Sequence, residues 1–474
     1  MTNDTKIHPV VLCGGGGKQL WPVSRNSFPK QFTRLMGKES LLQSTLQRVK
    51  SLGLPDPLLV TGHDYRFIVG EQLAEINLSA SVVIEPEARN SAASICAAAE
   101  ILHAENPSAL MLVLPTDHRI GNIKALAAAI EAGRASARDG EIVTFGIRPN
   151  HTETGYGYIE LSHSLDDASG PQHFVQFIEK PDLAGAEAML AADRYVWNSG
   201  IFLAAVTTIR SAFGRHAPAL RAAVRRAIRD GVKDPDFFRM GDAFRTATDI
   251  SFDYAVMEKE QGVVVPMDPA WADLGNWRSV WQESPRDADG VSTSGAALAL
   301  DCQNTLLRAE DNAMQIVGVG LRNIAAIATR DGVLVADLDS AQSVAQAVDI
   351  MAANGIVQAT EMSRQSMPWG HAETLTQGGR FQVRALVVKP GEAMTLQSHV
   401  HRAELWVVVE GSAFVTVGET ETFVTESQFV QIPIGAPHRL SNPGRVDLRL
   451  IEVQTGSYLG DDAILRYESA YEGA

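Results

Sequence analysis

Cysteine is scarce in this chain, and the cysteines present form no pattern. Cys13, Cys96 and Cys302 are scattered over 474 residues and lack the short spacings of zinc or redox motifs. Such cysteines argue against a disulfide framework and are typical of a reducing compartment. We therefore expect a cytoplasmic protein without structural disulfides.

Long apolar runs and an excess of positive charge are also lacking. No stretch approaches the ~20 apolar residues that cross a bilayer, and residues 1–6 are not followed by the apolar segment of a signal peptide. Lysine and arginine number 41 against 56 aspartate and glutamate, which gives a formal net charge of −15. This balance argues against nucleic acid and anionic membrane surfaces as partners. Small anions are not excluded where cations cluster.

One such cluster surrounds a run of four glycines at residues 14–17, directly after the apolar stretch 9–12. Glycines allow a ligand to approach backbone N–H groups, as phosphates commonly do. The nearby cations are Lys18, Arg25, Lys30, Arg34 and Lys38. Gln19 stands where the dinucleotide-binding pattern needs glycine and where the P-loop needs serine or threonine, so neither pattern fits. A flexible loop with solvated lysines remains the alternative.

Strand and helix patterns alternate up to about residue 146. The strand patterns cover residues 10–12, 58–61, 82–84, 109–114 and 142–145. Helix patterns cover 91–105 and 123–138, and Ser40 with Gln43 predicts a capping box before another helix. This alternation predicts an α/β fold with a mostly parallel sheet, which binds ligands beyond the carboxyl ends of its strands.

Later segments differ in pattern. Residues 206–248 look helical, and residues 287–294 are polar and indicate a boundary. Short β-type runs recur between 296 and 338 and a helix is predicted over 340–353, while residues 381–455 have short strands without helix patterns. We therefore predict an α/β domain over 1–286, a β-helix-like connector over 287–360 and an all-β barrel over 361–474.

Two carboxylates in the first domain are candidate ligands of a divalent ion. Asp117 follows an apolar strand, where a carboxylate faces the ligand edge of the sheet, and Asp273 lies in a tryptophan-flanked loop. Asp117 capping the next helix is the alternative interpretation. Further polar candidates stand on loops: Tyr156, Glu179, Lys180 and Asn198. Each of these residues is weak evidence for a binding site by itself, because strands often end in polar residues at the protein surface.

The last domain contains a second candidate metal site. Gln397 and His399 lie two residues apart, on one face of a strand, and Glu404 and His438 can converge from neighbouring strands. Such a set suits a borderline divalent metal such as Zn²⁺. A single histidine on a strand is more often structural, but two spaced blocks favour the metal site. His401 is another candidate ligand or acid/base.

In order along the chain, several motifs resemble one enzyme family. They are WPVSR (21–25), FPKQF (28–32), EPEARN (85–90), PTDH (115–118), ETGYGYI (153–159), EKP (179–181), WNSG (197–200), DYAVMEK (253–259) and WADLGNW (271–277). The sequence resembles the sugar-phosphate nucleotidyltransferases, in particular mannose-1-phosphate guanylyltransferase fused to type II mannose-6-phosphate isomerase. The blocks around 391–411 and 433–442 resemble the two cupin motifs. The resemblance covers nearly the whole chain.

For the first domain, a Rossmann-like nucleotidyltransferase by this resemblance, the implied reaction joins GTP and mannose 1-phosphate into GDP-mannose and pyrophosphate. Mg²⁺ would bind Asp117 and Asp273. The implied phosphate contacts are Lys30 and Lys180, with Lys18 as a further candidate. The implied nucleotide contacts are Leu12, Gly14, Gly15, Gly17, Glu85, Arg89 and Asn90. The implied sugar contacts are Gly157, Glu179 and Asn198.

For the cupin barrel, the implied reaction interconverts mannose 6-phosphate and fructose 6-phosphate. Zn²⁺ or another divalent metal would bind Gln397, His399, Glu404 and His438. Arg439 and His401 are the catalytic candidates, and further phosphate candidates are Arg380, Arg384, Lys389 and Arg402. A homodimer is expected from the resemblance alone.

One departure from the family pattern affects the glycine loop. The family has an arginine on the triphosphate where this chain has Gln19, preceded by Lys18. Glutamine cannot make a charge-assisted, bidentate phosphate contact. An alternative hypothesis is therefore an isomerase with a degenerate, nucleotide-sensing first domain. A third is a non-catalytic sugar-nucleotide binding protein with a structural cupin.

Overall fold

The computed structural model describes residues 6–165, 170–234, 236–311 and 313–467. The chain divides into two compact units, residues 1–359 and 360–474. In the described part of the chain, no helix is long and apolar enough to cross a membrane. The domain boundaries at 286/287 and 360/361 stay predictions.

The first unit contains nine α-helices within its described residues. They are α1 Leu41–Ser51, α2 Arg66–Glu75, α3 Asn90–Glu105, α4 Ile123–Arg138, α5 Leu183–Ala191, α6 Val206–His216, α7 Pro218–Arg229, α8 Trp277–Glu283 and α9 Val344–Ala353. The predicted helices over 91–105 and 123–138 are confirmed. The capping box is confirmed as well, since the Gln43 backbone N–H donates to Ser40 Oγ and the Ser40 backbone N–H donates to Gln43 Oε1.

Strands before the connector lie between these helices. They are β1 Ile7–Cys13, β2 Leu58–Gly62, β3 Ser81–Glu85, β4 Leu110–Pro115, β5 His118–Ile120, β6 Val143–Ile147, β7 Tyr158–Leu161, β8 Gln172–Ile178, β9 Tyr195–Ala205, β10 Val232–Lys233, β11 Phe237–Arg239, β12 Val263–Met267 and β13 Trp271–Asp273. The five predicted strands are confirmed. The helical prediction over 206–248 is confirmed up to Arg229 and wrong where β10 and β11 pair, and a short 3₁₀ helix follows at Asp242–Thr246.

Eleven of these strands form one sheet, in the order β10-β11-β3-β2-β1-β4-β9-β6-β12-β8-β7. The strands from β11 to β4 are mutually parallel, which confirms the α/β prediction, and β6 also runs parallel to β12. The sheet as a whole is mixed, because β9 runs antiparallel to β4 and β6. This reversal brings the beginning of β9, with Asn198, to the edge where β1 and β4 end.

Apolar layers cover both faces of the sheet. Val10 and Val11 are adjacent in β1 and fully buried, yet they belong to different clusters because successive side chains point to opposite faces. One cluster includes residues of α3, α6 and α7, and the other includes residues of α1, α2 and α4. The edge where β1 and β4 end is thereby supported by buried apolar residues on both faces of the sheet.

The connector packs into the first unit as a short β-helix. Its strands are β14 Ser292–Ser294, β15 Ala297–Leu300, β16 Leu306–Ala309, β17 Ile316–Val319, β18 Ile324–Thr329 and β19 Gly332–Asp337. β14, β16 and β18 pair in parallel, as do β15 and β17, and β19 closes the ladder antiparallel to β18. A 3₁₀ helix, Leu338–Ser343, then leads into α9.

A partly buried ion pair holds the connector against the loop after β1. Arg25 is fully buried and donates to both carboxylate oxygens of Asp331, at 2.6 and 2.7 Å. Its Nε also donates to the carbonyl of Pro22. Arg25 therefore serves the packing of this loop, and the prediction of a phosphate-facing cation at this position is wrong.

Replacing Asp331 with Asn should lower the free energy of unfolding of the first unit by about 2–3 kcal/mol, because Arg25 would keep its buried charge without a counterion. Burial alone raises the pKa of Asp331, but the hydrogen bond and charge of Arg25 outweigh it and the pKa is lowered. Because the pKa of Asp331 is lower in the folded protein, the ion pair stabilises the fold fully above the ordinary aspartate pKa of about 3.9. This stabilisation is lost as the pH falls through the folded-state pKa. Denaturant unfolding at pH 7 and at acidic pH measures the free energy of unfolding of the natural protein and of Asp331→Asn, and the exposed Asp56→Asn variant is the control. Equal unfolding of both variants at pH 7 would contradict the assignment.

The second unit is an all-β barrel of two antiparallel sheets. Its strands are β20 Arg364–Met367, β21 Gly370–Gly378, β22 Phe381–Val388, β23 Gln397–His399, β24 Arg402–Glu410, β25 Ser412–Val417, β26 Thr420–Thr425, β27 Phe429–Ile432, β28 His438–Ser441, β29 Leu448–Gly456 and β30 Ile464–Arg466. The sheet orders are β20-β21-β22-β29-β24-β27 and β26-β25-β28-β23-β30. An apolar core that includes Leu386, Trp406 and Leu440 fills the interior. The predicted all-β barrel is confirmed.

Candidate active sites

The two candidate carboxylates of the first unit meet at one lysine. Asp117 lies between β4 and β5, and β13 pairs antiparallel with β5 so that Asp273 stands opposite His118. Lys30, at the start of a 3₁₀ helix, places its Nζ 2.8 Å from Asp117 Oδ2 and 3.9 Å from Asp273 Oδ1. The β5–β13 pairing thus joins two motifs that are far apart in sequence.

The electrostatics of this cluster leave Asp273 less well paired than Asp117. Burial tends to lower the pKa of Lys30, but the two carboxylates outweigh it and raise that pKa. Burial tends to raise the pKa of Asp117, which Lys30 and His118 nevertheless hold well below its usual value. Burial raises the pKa of Asp273, whose Oδ1 has no hydrogen-bond partner among the described residues. A half-buried carboxylate whose buried Oδ1 lacks a partner, beside a second carboxylate, fits a divalent cation.

The glycine loop follows β1 at the same edge. Gly15 and Gly17 have φ values of 103° and 57°, in the region that favours glycine. A side chain at Gly17 would also lie 3.0 Å from the backbone nitrogen of Lys30. The Leu12 carbonyl accepts a hydrogen bond from Thr116, and Gly14 is exposed.

Lys18 and Gln19 contact the connector. Lys18 Nζ lies 2.8 Å from Asp349 Oδ1 on α9, and Gln19 Nε2 donates to Gln342 Oε1 at 2.9 Å. The ion pair of Lys18 is exposed, and such pairs contribute little to stability. Lys18 can therefore exchange Asp349 for a phosphate at small cost.

The predicted nucleotide contacts after β3 are only partly oriented toward a ligand. Glu85 ends β3 and is buried, and burial raises its pKa to about 7 although Ser94 Oγ donates to its Oε1 at 2.5 Å. Asn90 has a φ of 57° and accepts the Ser91 backbone N–H. Arg89 is engaged by Glu87 and by the backbone carbonyl of Arg245. Glu85 is the buried one of the three, and the nucleotide-binding role of each stays a prediction.

The predicted sugar contacts lie together. The Asn198 backbone N–H donates to the Gly157 carbonyl at 2.8 Å, and a side chain at Gly157 would lie 2.5 Å from Glu179 Oε2. Lys180, with a φ of 48°, places Nζ 3.5 Å from Glu179 Oε1. Burial raises the pKa of Glu179, with Lys180 opposing the shift. The roles of these residues stay predictions.

A cleft of about 640 Å³ opens beside Asp273. Tyr156 packs edge-on against both Trp197 and Trp271, with ring centroids 5.3 Å apart in each pair. Gln342 and Asp339 of the connector line the same cleft. Aromatic rings beside carboxylates suit a sugar, which offers C–H faces and hydroxyl donors.

The barrel contains a buried cluster of metal-binding type. Ligand atoms of His399, Glu404 and His438 all lie within 4.8 Å of one another. His399 Nε2 is 2.9 Å and His438 Nε2 is 3.7 Å from the Glu404 carboxylate. His438 Nδ1 lies 2.9 Å from the carbonyl of Ala436, which it can donate to, leaving Nε2 as the ligand atom.

The electrostatics of the cluster favour the metal-binding protonation states of Glu404 and His438. Burial tends to raise the pKa of Glu404, but His399 and its other neighbours lower it to about 2. Burial lowers the pKa of His438. Within the described residues, His438 Nε2 and His399 Nδ1 are buried without hydrogen-bond partners. An ionised carboxylate and an uncharged imidazole are the forms that bind a divalent metal, so the donor set fits one.

Comparison with known proteins places both units in families. Residues 8–290 match the nucleotidyl transferase family, and residues 356–469 match the mannose-6-phosphate isomerase C-terminal family. The chain belongs to the nucleotidyl transferase family and carries a mannose-6-phosphate isomerase C-terminal domain.

Relatives match along their whole length. The xanthan biosynthesis protein XanB of Xanthomonas campestris pv. campestris is 42% identical over 468 residues, 98% of this chain and 99% of that protein. A mannose-1-phosphate guanylyltransferase of Klebsiella pneumoniae is 40% identical over 472 residues, with 98% and 99% covered. The crystal structure of a mannose-1-phosphate geranyltransferase from Thermus thermophilus superposes with a TM-score of 0.63 at 30% identity, covering 73% of this chain and 100% of that one.

The isomerase domain brings some predicted residues together and leaves others apart. Gln397 is buried and stands opposite His438 in the β23–β28 pairing. His401 is exposed and lies edge-on to Tyr458, with centroids 6.3 Å apart, so it is outside the metal cluster. Arg439 lies between inward-facing His438 and Leu440 and therefore points to the opposite face of β28. The orientation of Arg439 away from His438 does not support the catalytic role predicted for it.

Sequence reasoning missed two groups of residues in this nucleotidyl transferase. Asp253 accepts a hydrogen bond from Asn198 Nδ2 at 3.0 Å, and burial raises its pKa to about 7. Glu452 and Gln454 lie beside Glu404 in the barrel. Asp253 could have been found as the first residue of DYAVMEK, whereas Glu452 and Gln454 occur in an ordinary alternating strand and give no signal.

Proposed function

We propose that the first unit transfers GMP from GTP to mannose 1-phosphate, giving GDP-mannose and pyrophosphate. The observation that carries this proposal is Lys30 held between Asp117 and Asp273 beside the glycine loop. Full-length relatives named mannose-1-phosphate guanylyltransferase support it. They also favour a working transferase over the alternative of an isomerase with a degenerate first domain.

The proposed reaction is a direct phosphoryl-group displacement. A phosphate oxygen of mannose 1-phosphate forms a bond to the α-phosphorus of GTP while the bond to the bridging α–β oxygen breaks, and pyrophosphate leaves with that electron pair. Lys30 neutralises charge on the phosphates, with Lys180 on the sugar side, and Glu179 and Asn198 hold the sugar hydroxyls. Mg²⁺, held by Asp117 and Asp273, supplies charge neutralisation at the phosphates when bound.

GTP labelled at the α-phosphorus tests which bond breaks. We expect the label to appear in the sugar nucleotide and none in the released pyrophosphate. ATP in place of GTP, and mannose without its phosphate, serve as comparison substrates. Label in pyrophosphate, or no dependence on mannose 1-phosphate, would contradict the proposal.

Replacing Gln19 with Arg should raise kcat/KM for GTP about tenfold, because a charged hydrogen bond to phosphate contributes about 1.5–3 kcal/mol. Gln315→Arg adds the same charge on an exposed connector position and should change nothing. Lys18→Ala should raise the KM for GTP if Lys18 is the working cation. An unchanged kcat/KM in Gln19→Arg would show that Gln19 is no handicap.

The second unit interconverts mannose 6-phosphate and fructose 6-phosphate in this proposal. Its support is the buried His399, Glu404 and His438 cluster and the match to the isomerase C-terminal family. His399, Glu404 and His438, completed by Gln397, would hold Zn²⁺ or another divalent metal, which would supply a Lewis acid for the substrate oxygens. A base removes the proton at C2, and the proton returns at C1 through a cis-enediol. His401 is the predicted acid/base, but its exposed position outside the metal cluster gives this role little support.

Isomerisation in D₂O tests the second activity. Deuterium should enter the sugar at the carbon that receives the proton, and a chelator should stop the reaction until Zn²⁺ or another divalent ion is restored. A protein that binds no metal and exchanges no proton would instead be the third alternative, a sugar-nucleotide binding protein with a structural cupin. A cytoplasmic location, a homodimer and the identity of each metal stay predictions.

A further inference from the structure

A ladder of polar side chains crosses three neighbouring strands inside the barrel. β22, β29 and β24 are antiparallel neighbours, in which Arg384 stands opposite Glu452 and Glu452 stands opposite Trp406. Glu452 and Gln454 have no exposed surface. Polar groups buried this deeply are costly unless their hydrogen bonds are made.

Shared donors connect the ladder to the metal cluster. Trp406 Nε1 lies 3.1 Å from Glu404 Oε2 and 3.1 Å from Glu452 Oε1. Gln454 Nε2 lies 3.2 Å from Glu404 Oε1 and 3.0 Å from Glu452 Oε2. Arg384 Nε donates to Glu452 Oε2 from the other side. Contacts therefore run from Arg384 through Glu452 to the metal-binding carboxylate of Glu404.

Arg384 also stands where two cavities adjoin. A cavity of about 170 Å³ is lined by Arg384 and Gln397, the latter a predicted metal ligand. A cleft of about 460 Å³ is lined by Arg384 together with hydroxyl and amide groups of Ser363, Gln365, Thr374, Gln382 and Ser457. Within residues 360–467, Arg384 is the one charged side chain lining this cleft. A cation among uncharged donors is suited to a phosphate monoester.

We propose that Arg384 binds the phosphate group of the hexose 6-phosphate substrate, and that Glu452 is a positioning residue that orients both Arg384 and Glu404. The inference rests on the proposed isomerase function. The phosphate enters from the polar cleft, and the carbonyl end of the sugar reaches the smaller cavity beside Gln397. Glu452 has no exposed surface, and its carboxylate accepts hydrogen bonds from Arg384, Trp406 and Gln454.

Binding of a hexitol 6-phosphate to the zinc-loaded full chain tests this assignment, since a hexitol has no carbonyl and cannot be isomerised. Calorimetry compares it with the unphosphorylated hexitol, and a chelating dye measures zinc affinity. We expect Arg384→Gln to weaken binding of the phosphate ester about 10- to 100-fold, with zinc affinity unchanged, and Arg384→Lys to recover part of the loss. Arg449→Gln, an exposed cation on the same strand as Glu452, is the matched control and should change neither quantity.

Glu452→Gln should lower zinc affinity about tenfold and should also weaken binding of the phosphate ester. Ester binding by Arg384→Gln equal to that of the natural protein would overturn the assignment of Arg384 and leave the isomerase proposal standing. Zinc affinity unchanged in Glu452→Gln would overturn the positioning role. A natural protein that isomerises no hexose phosphate and binds no ester would overturn the isomerase proposal and this inference together.

Discussion

The Asp273→Asn variant should release pyrophosphate from GTP and mannose 1-phosphate about a thousandfold more slowly than the natural protein. Asparagine keeps the shape of the side chain and removes its charge. The site then loses one of the two carboxylates that face Lys30, and with it the proposed hold on Mg²⁺. Because the change is nearly isosteric, the fold around β13 should persist.

Asp117→Asn should have a similar effect on pyrophosphate release, but with an added cost in stability. Asp117 is the closer partner of Lys30, at 2.8 Å, so its loss leaves a largely buried ammonium group poorly compensated. The exposed Asp249→Asn variant is the matched control, and isomerase activity of each sample reports on its integrity. Retention of more than about a tenth of the natural rate in Asp273→Asn, at saturating Mg²⁺, would contradict the assigned site.

The Glu404→Gln variant should lose isomerase activity by about a thousandfold and metal affinity by at least about a hundredfold. Glu404 is the one carboxylate of the described metal cluster, and it lies within 4 Å of both histidine Nε2 atoms. Glutamine leaves the packing beside Trp406 intact and removes the anionic ligand. Pyrophosphate release by the first unit should stay unchanged.

Glu410→Gln is the control for this second prediction. Glu410 lies on β24, as Glu404 does, but it is exposed and pairs with Arg449 at the surface. Zinc affinity measured with a chelating dye and isomerisation measured in the same preparation separate metal loss from unfolding. If the Glu404→Gln variant binds zinc as tightly as the Glu410→Gln variant, the assignment of Glu404 as a metal ligand is contradicted.

Helices and strands were predictable from the sequence where a single local pattern determined the secondary structure. The helix over 123–138 has polar, cap-forming Asn122 before it and alanine-rich turns, and it forms at the predicted bounds. The helical prediction failed after Arg229, because a helical periodicity does not reveal that β11 pairs with the sheet edge at β3 and that β10 pairs with β11. Tertiary pairing decided that segment.

Site geometry was less predictable, because it depends on contacts between distant stretches. The sequence named Asp117 and Asp273 but could not show that the β5–β13 pairing joins them. Arg25 was predicted to be one of the cations near a phosphate, but it is buried and pairs with the half-buried Asp331 of the connector. Arg439 follows His438 in sequence, yet the alternation of a strand turns it to the other face.

Pyrophosphate release by the natural protein, with its Gln19 in place, tests most directly whether both sites are active. The measurement uses saturating GTP, mannose 1-phosphate and Mg²⁺, with isomerisation of mannose 6-phosphate assayed on the same sample. We expect both activities, with pyrophosphate release lost in Asp273→Asn and isomerisation lost in Glu404→Gln. Isomerisation without pyrophosphate release would contradict the account and indicate a nucleotide-sensing first domain.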